Sequence, residues 1–122
     1  MYDRDLAYEL ISLIIDNIET IRKRTAGVNS SDDFTSSESG MILLDSICMK
    51  LAAIGETIKN LDKVTNKDLL RRYDQINWKQ AMGMRDIIVH HYFDVDADVI
   101  YKTLIEDVPF LHQVLLKIKD NM

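Results

Sequence analysis

Apolar residues recur at steps of three and four along most of this sequence, which is the spacing of one face of an α-helix. In the clearest example, Asp3–Arg24, leucine, isoleucine and alanine form a continuous stripe and charged residues take the opposite face. Only one proline and four glycines interrupt the 122 residues, which is too few for a turn-rich β-sandwich. The sequence therefore predicts an all-α protein.

A polar loop separates the first helix from the second. Residues 25–37 are rich in serine, threonine and aspartate, and Phe34 is the one side chain expected to anchor them. Thr35 and Glu38 have the spacing of a capping box. The second helix is therefore expected to begin at Thr35.

The second half of the chain contains three further candidate helices. Asn66 is expected to cap a short third helix, and Asn77 to cap a fourth. Asp96 suits the start of a last helix, where the macrodipole favours a carboxylate. Pro109 should kink that helix or restart it with Asp107 as the cap. Together these elements predict an antiparallel bundle of four to five helices.

Length, charge and cysteine content narrow the function classes. Residues 1–122 are enough for one domain and too few for two. The net charge of −5 excludes a uniformly basic nucleic-acid-binding protein but leaves room for a local basic patch. The single cysteine, Cys48, is expected to be an inert core thiol, and the absence of a cysteine pair fits a reducing cytoplasm. Because no apolar run has the length of a membrane span, we expect a cytoplasmic protein with no membrane partner.

The residues that could carry chemistry are concentrated between residues 78 and 98. Arg85, Asp86, His90 and Tyr92 lie within eight positions. Taken alone, they also fit a solvated helix face that ends in a hydrogen-bonded histidine. On a regular helix Arg85 and His90 point about 140° apart. They can meet at one phosphate only if the helix unwinds near His90, or if a second copy of the chain supplies the partner group.

The pattern Arg85-x4-His90-x-Tyr92, with the polar Asp86 after the arginine, resembles the motif of the HEPN superfamily, specifically of the HepT-type toxins of prokaryotic toxin–antitoxin pairs. The resemblance covers about residues 44–111 and implies a homodimeric HEPN-type helical bundle. Its flanks are Ile54-Gly55-Glu56, Ile76-x-Trp78-Lys79, Gly83-Met84-Arg85-Asp86 and His90-x-Tyr92-Phe93-x-Val95-Asp96.

The resemblance also implies an activity, that of a metal-independent endoribonuclease toxin of a type VII-like system. Its substrate is RNA, its site is composite and lies in the homodimer cleft, and it uses no cofactor. Arg85 stays protonated and offers donors for phosphate oxygens, while His90 can act as general base or acid near neutral pH. Asp86 either orients a neighbouring side chain or is structural, and the role of Glu56 stays open.

Tyr92 suggests regulation. In the HepT family the partner is an MntA-like minimal nucleotidyltransferase antitoxin, which transfers AMP from ATP to the motif tyrosine. The resemblance leaves open whether toxin and antitoxin assemble in a larger complex. Each added phosphodiester places negative charge and bulk beside Arg85 and His90, where it competes with the RNA phosphate. The alternative for Tyr92 is a packed aromatic residue at a helix end.

Other interpretations remain at this stage. One is a catalytically idle subunit that binds a nucleotide or phosphate and assembles with a nucleotidyltransferase, which the acidic balance favours. His90 and Asp94 could share a metal, but no third ligand is indicated. Asp94-x-Asp96-x-Asp98 lacks the glycine and glutamate of a calcium loop, so no metal is predicted. His112 is expected to be a packed or surface histidine.

Charge is unevenly distributed along the chain. Residues 67–85 contain five basic and two acidic residues, whereas residues 86–107 contain six acids and one lysine. A dimer could bring two basic stretches towards one cleft and so attract phosphate locally. The acidic remainder would weaken nonspecific RNA binding or dock a basic antitoxin surface.

Overall fold

The computed structural model describes residues 2–90 and 96–122, without the side chains of residues 85–87, 89 and 90. Throughout these ranges the chain forms helices and no strand, so the all-α prediction is confirmed. A 3₁₀ turn at Leu70–Arg72 and a π-helical turn at Thr103–Asp107 accompany the α-helices. The α-helices are α1 (Arg4–Arg24), α2 (Asp32–Thr35), α3 (Glu38–Val64), α4 (Trp78–His90), α5 (Ala97–Lys102) and α6 (Val108–Asp120).

The core lies between the long helices. Helix α3 packs against both α1 and α4, and α6 packs against α1. The apolar stripe of α1 is wholly buried along its centre, as its spacing predicted. Phe34 in α2 is also wholly buried, so it anchors the loop between α1 and α3 as expected. The side chains with the largest buried volumes are Phe34, Ile11, Ile14, Ile18, Ile21, Ile47, Leu51, Ile54, Ile58, Leu61, Leu70 and Leu115.

Two of the predicted helix caps, at Asn77 and Asp96, are confirmed, and Asp3 is a further cap that the sequence did not predict. Asp3 caps α1 by accepting a hydrogen bond from the backbone of Leu6 at 3.1 Å. Asn77 caps α4, since its side-chain oxygen accepts from the backbone of residue 80 at 3.0 Å. Asp96 caps α5 in the same way through the backbone of Asp98 at 2.9 Å. These carboxylate and amide oxygens satisfy donors that the first turn of a helix leaves unpaired.

The capping box at Thr35 is wrong. Thr35 is the last residue of the short helix α2, so it has no extended backbone with which to cap α3. The cap is Ser37, whose φ of −149° and ψ of 159° are extended and whose hydroxyl accepts from the backbone of Gly40. The sequence pattern found a serine- and threonine-rich helix start but placed it two residues early.

The short helix capped by Asn66 is also wrong. Asn66 has a φ of 58°, the left-handed conformation that asparagine tolerates at the end of a helix. The backbone N–H of Lys67 donates to the carbonyl of Asp62 at 2.8 Å, which closes the last turn of α3. Asn66 therefore ends α3, and only the 3₁₀ turn at Leu70–Arg72 is helical before α4.

Pro109 is accommodated without a restart. The π-helical turn Thr103–Asp107 joins α5 directly to α6, with Pro109 in the first turn of α6. Asp107 has helical dihedral angles and its side chain caps nothing, so its predicted capping role is wrong. Pro109 has no N–H to donate to the carbonyl of Ile105, four residues earlier, which lies in the π turn.

Cys48 is buried in the core face of α3, as its position on the apolar stripe predicted. Burial, assisted by the neighbouring charge of Asp45, raises the pKa of the Cys48 thiol from 9.0 to about 11. A thiol that is both inaccessible and protonated near neutral pH is a poor nucleophile. Cys48 therefore acts as a packing residue.

Candidate functional site

Helix α4 carries the candidate motif, and its N-terminal end is firmly held. The indole N–H of Trp78 donates to the backbone carbonyl of Tyr73 at 2.8 Å, and its ring is nearly buried. Tyr73 is held in turn, because its hydroxyl accepts from the side-chain amide of Asn121 at 3.2 Å. The 3₁₀ turn, the end of α6 and the start of α4 are thus linked.

The backbone of α4 is helical without interruption from Trp78 to His90. Arg85 and His90 therefore lie about 7.5 Å apart along the axis and about 140° apart around it. Up to His90 the helix does not unwind, so the described backbone of one chain does not bring Arg85 and His90 together. Tyr92, the predicted AMP acceptor, lies outside the described residues.

The backbone positions of the motif fall on different sides of α4. Arg85 is seven residues from Trp78 and three from Ile88, so its backbone is on the side where these two residues are buried. His90 is seven residues from Gly83 and eleven from Lys79, which places its backbone on the opposite side. Lys79 is exposed, and a Cβ added at Gly83 would meet no atom within 4 Å. Around Gly83, no residue that the structure describes covers this side of α4.

Two grooves flank α4. One groove has a volume of about 380 Å³ and lies between α4 and the continuous segment of α5, the π turn and α6. Its lining is mainly apolar and includes residues of the π turn. The other, of about 750 Å³, lies between α1, α3 and α4. We call it the lysine groove. Its lining residues are Leu10, Leu13, Glu56, Thr57, Lys59, Asn60, Asp62, Lys63, Lys67 and Met82.

Two of the basic residues counted in the sequence are engaged by a carboxylate. Arg71 and Arg72 both approach Asp68 at 2.6 Å. The hydrogen bond from Arg71, with the charge of Arg72, holds the pKa of the Asp68 carboxyl below its usual range. The net charge of residues 67–85 already includes Asp68, but the pairing means that Arg71 and Arg72 are engaged by a carboxylate within this stretch.

His112 is packed, as expected, rather than part of a metal cluster. Its Nδ1 lies 3.0 Å from an Arg22 guanidinium nitrogen, and its Nε2 lies 3.4 Å from Glu19. Because guanidinium only donates, Nδ1 accepts and the imidazole proton is on Nε2, facing Glu19. Among the side chains that the structure describes, which leave out those of residues 85–87 and 89–95, no group of three His, Cys, Asp or Glu could hold a metal ion. None of the helices described is long and apolar enough to cross a membrane.

Sequence reasoning missed the two lysines of α3 that line the larger groove. Lys59 and Lys63 are four residues apart, and Lys67 follows at the same interval. This spacing puts Lys59 and Lys63 along one side of α3, and Lys67, just beyond the end of the helix, lines the same groove. The signal is present in the sequence, but a basic stretch that starts at Lys67 leaves out both lysines of α3.

Comparison with known proteins adds the family. The model of the family described as "Ribonuclease HepT-like" matches residues 14–118. The chain belongs to the HepT-like ribonuclease family. This confirms the resemblance found in the motif and its flanks, and the all-helical fold agrees with it.

Three curated relatives of the chain have names that include RNase or ribonuclease. The chain is 30% identical over 86% of its length to a Caldanaerobacter subterraneus protein named "Putative RNase", of which it covers 87%. It is 41% identical over half its length to "Probable ribonuclease HepT" of Thermococcus cleftensis, of which the match covers 52%. A Methanocaldococcus jannaschii protein named "Gamma-glutamylcyclotransferase and putative RNase" is 33% identical over 89% of the chain. The chain spans 46% of that protein's length. No solved structure matches the chain.

Proposed function

We propose that this protein is a metal-independent endoribonuclease, the toxin of a HEPN/MNT toxin–antitoxin pair, and that Arg85 and His90 carry its chemistry. Membership of the HepT-like ribonuclease family is the observation that carries the proposal. The motif lies on a helix that is capped and anchored at its start and packs against α3. A rigid element of this kind suits a catalytic constellation.

The reaction requires a base, an acid and a group that stabilises negative charge, and residues of the motif can supply all three. A base removes the proton of a 2′-hydroxyl, whose oxygen attacks the adjacent phosphorus. The bond from phosphorus to the 5′-oxygen breaks, and an acid returns a proton to that oxygen. His90 is suited to move protons near neutral pH. Arg85 is suited to stabilise the charge that develops on the phosphate oxygens.

The site is composite between two copies of the chain. Since α4 is a regular helix through His90, Arg85 and His90 of one chain diverge by about 140°. In a two-fold dimer, Arg85 of one protomer and His90 of its partner can face the same phosphate, and a closed dimer forms two such sites. The side of α4 around Gly83, which no described residue covers, leaves space for the approach of a partner.

The antitoxin is an MntA-like nucleotidyltransferase that transfers AMP to Tyr92. The Tyr92 hydroxyl attacks the α-phosphorus of ATP, and pyrophosphate leaves. The added phosphodiester is negatively charged and occupies the donors that the RNA phosphate requires. The position of Tyr92, two residues beyond His90, supports this proposal.

The cleavage chemistry is tested with a single-stranded RNA oligonucleotide and the purified chain in excess EDTA. We expect cleavage to continue without a metal ion and to leave 2′,3′-cyclic phosphate and 5′-hydroxyl ends. A matched oligonucleotide with 2′-deoxyribose at the cleaved position should stay intact there, because the attacking oxygen is missing. Cleavage of the deoxy substrate, or its abolition by EDTA, would contradict the proposed mechanism.

The modification is tested by mass spectrometry of the chain produced with and without a nucleotidyltransferase partner. We expect coexpressed protein to gain the mass of one or more AMP units at Tyr92 and to lose RNA cleavage activity. The control is Tyr92→Phe, which keeps the ring but removes the accepting oxygen, and which should stay unmodified and active. An unmodified wild-type chain that is nevertheless inhibited by its partner would refute this regulation.

A further inference from the structure

We propose that the lysine groove binds the backbone of a single-stranded RNA segment, with Lys59, Lys63 and Lys67 as its phosphate-binding residues. This inference rests on the proposed ribonuclease function. It adds a substrate-holding surface outside the motif. Residues of α1, of α3 and of the segment just after α3 form this surface. Met82 of α4 also lines it.

The three lysines are exposed and available. In the described part of the chain, no hydrogen bond or ion pair engages the ammonium group of Lys59, Lys63 or Lys67. This distinguishes them from Arg71 and Arg72, whose guanidinium groups are held by Asp68 at 2.6 Å. Unpaired cations lose no existing partner when they bind a phosphate.

Their arrangement follows a line. Lys59 and Lys63 are separated by about 6 Å along α3, and Lys67 continues the line where Asn66 turns the chain out of the helix. Asn66 and Lys67 both have left-handed backbone conformations just after α3. With the chain turned in this way, Lys67 lines the same groove as Lys59 and Lys63.

The floor of the lysine groove is apolar. Leu10 and Leu13 from α1 and Met82 from α4 line it, and Leu13 is 49% exposed. The described lining residues include no aromatic ring, so bases would pack against these apolar side chains while the lysines hold the backbone by charge. A short row on one helix fits one strand, whereas a duplex requires contacts across its minor groove.

The lysine groove lies next to the motif along α4, where it could hold RNA close to Arg85 and His90. Met82 is one helical turn before Asp86, so the groove and the motif share α4. Glu56 and Asp62 also line the groove, and their carboxylates limit how many phosphates can bind. The lysines outnumber them in a chain whose overall charge is −5. Attraction for RNA is thereby focused near the motif rather than spread over the surface.

The test compares RNA binding by the wild-type groove and by the triple variant Lys59→Gln/Lys63→Gln/Lys67→Gln. Binding is measured as the fluorescence anisotropy of a labelled single-stranded RNA across a salt series. All binding measurements use the full chain carrying His90→Ala, so that the RNA is not cut. We expect the triple change to raise Kd at least about tenfold at low salt and to reduce the slope of log K against log salt by about 2. In the cleaving protein, KM should rise while kcat stays within about twofold.

The matched control is Lys23→Gln/Lys102→Gln/Lys117→Gln. It removes the same charge from three exposed lysines outside the groove. Its salt slope should change by less than about 0.5. Equal weakening in both triple variants, or no weakening in the first, overturns the proposal. Binding of polyglutamate to the groove lysines as tightly as RNA of equal charge also overturns it, and would assign the groove to an acidic protein. Failure of the wild-type chain to cut RNA refutes the proposed function instead.

Discussion

Replacing His90 by alanine is expected to lower the rate of RNA cleavage by about 10²–10⁴-fold, the usual contribution of a positioned general acid–base group. Replacing Arg85 by alanine should cost about 10²–10³-fold, the effect of losing a donor to a developing oxyanion. The measurement is kcat/KM for a defined RNA oligonucleotide, with circular dichroism to verify that each variant folds. His90→Ala should retain RNA binding, because the histidine is assigned to proton transfer rather than to holding the strand.

His112→Ala is the matched histidine control. His112 is packed against Arg22 and Glu19, on α1 and α6 rather than on the motif helix. Its removal should change kcat/KM by no more than about twofold, with a small loss of stability from the lost contacts. If His90→Ala cleaved RNA as fast as the His112→Ala protein, the catalytic assignment of His90 would be wrong.

Gly40→Ala is expected to lower the free energy of unfolding by about 2–4 kcal/mol. A Cβ at this position would lie 2.2 Å from the backbone carbonyl oxygen of Asp33 and 3.0 Å from that of Phe34. Since both obstacles are backbone atoms of α2, no side-chain rotation relieves the clash. The short helix must move away from α3, which disturbs the wholly buried Phe34. Urea denaturation measures the change.

Gly83→Ala provides the opposite result from the same chemical change. Gly83 is in the interior of α4, and a Cβ there meets nothing within 4 Å. Alanine should therefore stabilise the isolated chain by about 0.5–1 kcal/mol through its better helix propensity. If both variants shifted stability in the same direction, the close contact of α2 with α3 at Gly40 would not be the cause of the first effect.

The fold was predictable where local rules and the core agreed. The apolar period of α1 and the caps at Asn77 and Asp96 are local signals, and each is confirmed. Thr35 and Asn66 are cases where local chemistry allowed two structures. Serine, threonine and asparagine are favoured both at helix caps and in turns. The structure observed at Thr35 goes with the burial of Phe34, and that at Asn66 with the closing turn of α3.

The candidate site was predictable as a motif but less so as a surface. Arg85 and His90 were recognisable from their spacing and flanks, which the family match supports for the chain as a whole. The lysine groove depends on how α1 and α4 approach α3, a long-range arrangement that periodicity does not encode. The pairing of Arg71 and Arg72 with Asp68 is local, at three and four residues, and could have been found from spacing.

The role of Tyr92 as the AMP acceptor stays a prediction that depends on its position in the sequence alone. The net charge of −5, awkward for a protein that binds RNA, is compatible with the proposed function because the unpaired lysines are gathered in one groove.

The central claim, that Arg85 of one protomer works with His90 of its partner, is tested most directly by mixing two inactive variants. Arg85→Ala and His90→Ala proteins are combined under conditions that exchange subunits, and native mass spectrometry verifies the mixed dimers. Half of the dimers should then be mixed, each with one intact and one doubly altered site, so about a quarter of the wild-type activity should return. Activity no greater than that of the separate variants, despite demonstrated exchange, would contradict the composite site.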